Sequence, residues 1–389
     1  MPDSILHGNA VKRRVPVTVT WSPTLSARAA DAILAAVTHV FVAPHPDDAA
    51  LSCGGLIASL REVGQNVTIL NVFSGGPASA DSLTDYQRAA LGYGNKTLWP
   101  NTEVFRRENI GADEAIPVVA GAPAWAADPE RLELTQQLAN TQARQFWQRA
   151  SWTRSANVSN EESAERPLAD SIGGQGTDAP MDVTSEEIAE RRKMEDERYT
   201  FLVEASAVYL DLPDAVYRGY EGDAQLLGEV REDDPAPYEI LRREIARLEP
   251  QMVYFPLGVG GHVDHQLCRE AGLSLLAEDR RWVMPGTDYA GRLSFYEDFP
   301  YAWWNDFDGP ADWGGLELPS GIELEARYSD ISEVMDRKAA GIRLYGSQVR
   351  RLFADEQGIL DDLAGYHAKI ALFGGIHGYA ERYWTAVRA

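Results

Sequence analysis

The sequence predicts an α/β protein built on a mostly parallel sheet, and three observations carry that reading. Thr38–Pro44 and Asn66–Phe73 are β-rich apolar runs joined by one helical segment, the strand–helix–strand unit of parallel sheets. Met252–Leu257 repeats the theme, as a strand that runs through a glycine-rich turn into a helix. Both strands end abruptly in a cluster of histidine and aspartate. The chain has 389 residues and is 44% apolar, enough to bury a sizeable core in one large domain or in two.

The elements follow in order. The first strand (THVFVAP) stops at Pro44-His45-Pro46-Asp47-Asp48. A helix is expected over Ala49–Val63, with Leu51, Leu56, Ile57 and Leu60 available for one face and Asp47 or Asp48 as its N-cap. Gly64 ends it and NVTILNVF forms the second strand, by a crossover of the usual right hand. Residues 77–190 then lose the pattern, apart from helical pieces such as Pro129–Ala150; 151–180 has almost no large apolar residue and reads as a mobile loop. Order returns with a helix over Ser185–Ala207 and a strand over Val208–Leu212, ended by Pro213-Asp214. A helix over Tyr238–Leu248, the Met252–Leu257 strand and a helix to Leu276 come next. Strands are expected at Arg292–Tyr296 and Glu323–Tyr328, and helices at Asp330–Leu344 and around 357–373.

Formal net charge is −23, which repels phosphate backbones and anionic lipid surfaces and argues against nucleic acid or membrane as partner. A metal cation or a neutral or cationic small molecule suits it better. Two cysteines, Cys53 and Cys268, supply no disulfide framework and fit a reducing compartment. The basic Lys12-Arg13-Arg14 is not followed by an apolar signal segment, and no run is long enough to span a bilayer. A cytoplasmic location is expected.

Two clusters carry chemistry. His45-Pro46-Asp47-Asp48 lies where a parallel strand turns into a helix, the edge at which open α/β sheets bind ligands. Imidazole with carboxylate suits a divalent metal, and a second carboxylate can take a proton from water. Alone, the motif could equally be a turn with an N-cap. His262-Val263-Asp264-His265 occupies the equivalent position after a later strand, with two histidines on one face of a helix start. Together they hold three of the seven histidines, enough for a three-ligand open metal centre with spare acid–base groups. Gly258, Gly260 and Gly261 spell no nucleotide fingerprint and serve a tight turn. Trp303, Trp304, Tyr296 and Tyr301 could stack on a ligand or simply pack; Cys53 and Cys268 read as packed thiols.

The two motifs resemble those of the PIG-L/LmbE-like zinc-dependent N-deacetylases, a family that includes N-acetylglucosaminyl-phosphatidylinositol de-N-acetylase, mycothiol-pathway deacetylases and antibiotic-pathway deacetylases. Arg192-Lys193-Met194-Glu195, Leu212-Pro213-Asp214-Ala215 and the Lys338–Gln348 segment are similar to further family motifs, in the same order, so that the resemblance covers about 38–76 and 186–350. It implies a Rossmann-like sheet with helices on both faces and the metal at the carboxyl edge. It further implies Zn2+, or another divalent metal such as Fe2+, on His45, Asp48 and His265. Asp47 would be the general base. His262, protonated, would stabilise the oxyanion or protonate the leaving amine, with Asp264 orienting it. Arg192 and Asp214 would face the substrate, although Arg192 could also be a solvated helix charge and Asp214 a turn residue. One position departs from the pattern: the family's Glu after Asp-Asp is Ala49 here. The implied activity removes an N-acyl group, acetyl first, from an amino sugar or related small metabolite, in specialised metabolism. An amidase for a non-sugar amide or thiol conjugate, and an inert family member, are the alternatives.

One deacetylase domain then spans 1–389, and 77–190 is an insertion carrying 18 acids against 9 bases, a net −9. It leaves the sheet at the edge where the motifs lie, so it is expected to form a lid or substrate wall. Deleting 151–182 is expected to leave zinc binding intact, and loss of metal from the deleted protein refutes that layout.

Overall fold

A computed structural model describes residues 37–76, 83–91, 184–279, 282, 292–310, 316–353 and 356–388. The helical piece expected at Pro129–Ala150 and the loop at 151–180 lie outside the described residues. In chain order the elements are β1 (Thr38–Ala43), α1 (Asp48–Glu62), β2 (Asn66–Asn71), α2 (Asp85–Ala90), α3 (Ser185–Val203), β3 (Ser206–Tyr209), α4 (Asp223–Leu226), α5 (Tyr238–Leu248), β4 (Met252–Pro256), α6 (Val263–Glu278), β5 (Leu293–Tyr296), α7 (Tyr301–Trp304), β6 (Ile322–Asp330), α8 (Met335–Ile342), α9 (Gly346–Leu352), α10 (Glu356–Phe373) and β7 (Ala380–Arg388).

The strands form one sheet in the order β3-β2-β1-β4-β5-β7-β6. The first five run parallel, while β7 pairs antiparallel with both β5 and β6. The expected α/β fold is thus present, with an antiparallel edge added. Alternate residues of a strand face opposite sides, and β1 feeds two cores accordingly. Val40 and Val42 join Val253, Phe255 and Phe295 under α5 and α6, where Leu241, Ile245, Leu267 and Ala271 pack. Phe41 and Ala43 join Tyr254 on the other face, under Ala50, Cys53 and Ile57 of α1 and Tyr199 and Val203 of α3.

Three boundaries differ from the sequence reading. The helix expected to reach Ala207 stops at Val203, because Glu204 adopts a left-handed φ of 58° and Ala205 N–H turns back to Thr200 O. The following strand therefore begins at Ser206 and ends at Tyr209, earlier than expected. The segment expected as one helix over Asp330–Leu344 begins as the end of β6, passes through a 3-10 turn at Ser332–Val334 and becomes helical only at Met335. A seventh strand, β7, was not anticipated. Its Glu381 is 2% exposed and reaches across the sheet to α1, accepting from Gly55 and Leu56 N–H at 2.8 Å each and from Lys338 Nζ and Tyr383 Oη at 2.6 Å each.

His39 on β1 lies buried beside Tyr254, its Nδ1 3.1 Å from the Tyr254 hydroxyl, and burial pushes its pKa down from 6.5 to about 4. The unfolded chain binds a proton near pH 6.5 that the fold refuses until about 4. Its contribution is therefore intact above 6.5 and is lost as pH falls towards 4, by about 3 kcal/mol. In denaturant titrations at pH 7 and pH 4.5, His39→Gln is expected to lose less stability between the two than the parent, by about 2–3 kcal/mol.

Candidate metal centre

β1 and β4 lie side by side, with Phe41 opposite Tyr254. From this pair the chain winds outward in opposite directions, β1 to β2 and β4 to β5, so the gap between their carboxyl ends is a topological switch point. The two motifs open on that gap. After β1, the N–H of Asp47 turns back to His45 O at 2.9 Å, and α1 starts at Asp48. Asp47 holds the expected N-cap position, but its carboxylate makes no capping bond and faces the gap instead. After β4, Gly258, Gly260 and Gly261 all take φ between 76° and 89°, and a Cβ on Gly260 would fall 2.6 Å from that of Tyr301. The glycines thus serve the turn, as expected. His262 becomes the N-cap of α6, with its Nδ1 accepting from Asp264 N–H at 3.3 Å, and His265 follows within the first turn.

Among the described residues, two groups of side chains could hold a metal: His45 with Asp48 and His265, and His45 with His262 and Asp264. In the first, Asp48 Oδ2 lies 3.2 Å from His45 Nδ1 and 3.3 Å from His265 Nε2. Ligands bound at 2.0–2.1 Å in tetrahedral array are about 3.3 Å apart, so this set fits a small divalent ion. In the second group, Asp264 is already committed, to Arg218 Nη2 at 2.6 Å and to Ala215 N–H at 3.0 Å. The first group is the better fit. All three of its residues are buried, and the adjoining cavity of about 30 Å³ has room for an ion with a water.

Asp47, Asp48, Asp214, Asp264 and Asp298 crowd together, all buried, against the guanidinium groups of Arg192, Arg218 and Arg351. Burial alone would lower the pKa of His45, but Asp214, Asp264 and Asp48 outweigh it and hold it up at about 9. Burial is likewise overcome at His265, raised by Asp48 and Asp298, and at Asp48, whose pKa is drawn well down by His265 and His45. Asp47 differs: burial and the Asp48 charge push it up to about 6, against Arg192, His45 and His265. His262 is held well below its ordinary value by burial and by the two neighbouring imidazoles, which opposes the expectation that it is protonated.

The other expected residues are all placed at this edge. Arg192 is buried and not a solvated helix charge; it donates to Asp214 Oδ2 at 3.1 Å and lies 3.7 Å from Asp47. Asp214 also caps the 3-10 turn Ala215–Tyr217 through Val216 N–H. The hydrogen bond between Asp264 and His262 runs through the Asp264 backbone N–H, while its carboxylate faces His45 Nε2 at 2.9 Å. Trp303 and Trp304 donate to Asp362, so they pack within the wall, whereas Tyr301 lines the cavity with Gln348 and Arg351. Asp298, just past the end of β5, was overlooked although a strand-end acid beside the switch point is a signal; it accepts from His265 Nδ1 at 2.7 Å.

The PIG-L family model, described as GlcNAc-PI de-N-acetylase, matches residues 40–120, which include the first motif. The 2'-N-acetylparomamine deacetylase of Streptomyces fradiae is 35% identical over 166 residues, which are 41% of this chain and 54% of that protein. Over these stretches the chain is similar to PIG-L/LmbE-like proteins. It spans about half the length of that curated relative. The zinc-inhibited form of teicoplanin deacetylase Orf2 has the same fold, with a TM-score of 0.53 at 19% identity over 90% of this chain and 98% of that one. A deacetylase–teicoplanin complex matches at a TM-score of 0.51 and 18% identity, over 90% of this chain and 99% of that one.

Where the PIG-L/LmbE-like pattern has Glu, Ala49 is 3% exposed and packs in the apolar cluster with Phe41 and Tyr199. Neither group that could hold a metal includes it, so the departure removes no candidate ligand. Among the described residues, no helix is long and apolar enough to cross a membrane. His265→Ala and Asp48→Ala are each expected to abolish stoichiometric metal in dialysed protein, measured by elemental analysis. Zinc should raise the melting temperature of the parent and of neither variant, because only a folded-state site links metal to stability.

Proposed function

We propose that this chain hydrolyses an N-acyl group, acetyl first, from an amino sugar or a related small metabolite, with zinc on His45, Asp48 and His265. The observation that carries this reading is the spacing of those three ligands beside an aspartate, Asp47, that is buried yet makes no helix-capping bond. The likeness to a 2'-N-acetylparomamine deacetylase supports the substrate class. The two buried free thiols suit a cytoplasmic setting.

A divalent ion at this position polarises an amide carbonyl and makes water more acidic. Asp47 takes the proton from the attacking water and passes it to the departing amine, a role that suits a carboxylate poised near neutrality. His262 lines the cavity with its rings' edge towards His45, at 4.9 Å between centroids. Because its Nδ1 accepts the Asp264 N–H, its hydrogen sits on Nε2, and it donates that hydrogen to the carbonyl oxygen as negative charge develops. Arg192 and Asp214 hold each other at the cavity wall and offer a donor and an acceptor to substrate hydroxyls.

The start of the 77–190 segment supports its assignment as a substrate wall. α2 carries a Thr84–Gln87 capping box, and Leu83, Ala90 and Leu91 pack against Val216, Leu226 and Val263 beside the metal ligands.

Zinc-loaded protein is expected to release free amine from N-acetylated amino sugars, read by amine derivatisation. Turnover of other amides with none of any N-acyl amino sugar would replace the substrate class. Asp47→Asn should lower kcat by about 10²- to 10⁴-fold while leaving the metal content unchanged.

A further inference from the structure

Each imidazole of the ligand set presents one nitrogen to Asp48, and the other nitrogen has a defined partner. His265 Nδ1 lies 2.7 Å from Asp298 Oδ1. His45 Nε2 lies 2.9 Å from Asp264 Oδ2. Asp264 and Asp298 are fully buried, at 0% exposure, so neither can meet a substrate. Both are held in turn. Asp298 Oδ2 accepts Val259 N–H at 2.8 Å, from the turn that follows β4. Asp264 Oδ2 also accepts Ala215 N–H at 3.0 Å, while its Oδ1 accepts Arg218 Nη2 at 2.6 Å. Arg218 is itself clamped by Asp234 at 2.7 Å and lies 4.6 Å over the Phe73 ring.

We infer that Asp298 and Asp264 are positioning residues that fix opposite tautomers in the two histidines. His265 carries its hydrogen on Nδ1 and ligates through Nε2; His45 carries its hydrogen on Nε2 and ligates through Nδ1. The inference rests on the metal-centre reading above, and it moves the Asp264 carboxylate from His262 to His45. Metal-binding histidines commonly donate their second N–H to a carboxylate, which fixes the ring and makes it a better ligand.

The chemistry of the acceptors explains why aspartate is needed at both places. A carboxylate offers two acceptor oxygens and no hydrogen, and each of these carboxylates must satisfy donors on both oxygens. Asparagine cannot. At position 298, an amide oxygen turned to Val259 N–H leaves the NH2 facing His265 Nδ1. That moves the imidazole hydrogen to Nε2, which can then no longer bind a metal. The reverse orientation sets the NH2 against Val259 N–H. At position 264, an amide oxygen shared by His45 and Ala215 sets the NH2 against Arg218.

Zinc affinity measured by chelator competition tests the inference on full-length protein, with the melting temperature of the metal-free form as a control for folding. Asp298→Asn and Asp264→Asn are each expected to bind zinc about 10- to 100-fold more weakly than the parent, with Asp298→Ala weakened as much. In zinc-loaded parent labelled at histidine nitrogens, long-range 1H–15N spectra should place the metal on Nδ1 of His45 and Nε2 of His265. Zinc affinities within about twofold of the parent in both asparagine variants overturn the inference, as does metal on the opposite nitrogens. If a variant does not fold, the spectrum of the parent decides. Failure of the underlying reading looks different: zinc then fails to bind the parent, or binds His265→Ala as tightly.

Discussion

The parallel pairing of β1 with β4 is the constraint on which the site depends. Its register sets His39 against Met252 and Phe41 against Tyr254, and so brings the two strands to an end side by side. Residues 217 apart in sequence (45 to 262) thereby face one gap. Neither motif alone supplies the three side chains that could hold a metal. His45 and Asp48 come with one strand and His265 with the other, and the ring of His45 is bounded by groups from both. The two apolar faces of β1, packed on opposite layers of helices, are what hold that register: a shift of one residue would exchange Val40 and Val42 with Phe41 and Ala43.

Around the gap, anionic charge is crowded to a degree that hydrophobic burial alone would not tolerate. Unpaired buried carboxylates are costly, and here each has a donor. Backbone N–H groups at the strand ends serve Asp214, Asp264 and Asp298, and two arginines serve the same region from outside the ligand set. The result is a dense set of carboxylates, imidazoles and guanidinium groups in a water-poor setting. Asp47 is the exception, because its neighbours leave it poised and not committed.

The parallel half of the fold was legible because its strands are buried on both faces and read as continuous apolar runs. The antiparallel edge was not. β7 carries Glu381 and Arg382 among its residues, which look like solvent-facing charges until their partners Lys338 and Glu297 appear across the sheet. The left-handed turn at Glu204 lacked the glycine that would have announced it. At the site, the histidines and aspartates were readable because each motif is local. Asp298 and Arg218 were not, since what they do depends on side chains 33 and 46 residues away. The partner of the Asp264 carboxylate was missed for the same reason, the nearer His262 having been the obvious candidate.

The position of β7 sets the order in which the molecule can assemble. It lies between β5 and β6, so β6, made earlier, has no place in the sheet until the later strand arrives to bridge it. The same strand delivers Glu381 to the N–H groups of Gly55 and Leu56, a contact that spans 326 residues and reaches the helix on which Asp48 stands. During synthesis, β1, β2, β3, β4 and β5 can pair as they emerge, whereas α1, which carries Asp48, stays without the buried Glu381 until nearly all of the chain described here has been made. Long-range closure of this kind is slow. It ties the seating of α1, on which Asp48 stands, to a strand at the far end of the described chain.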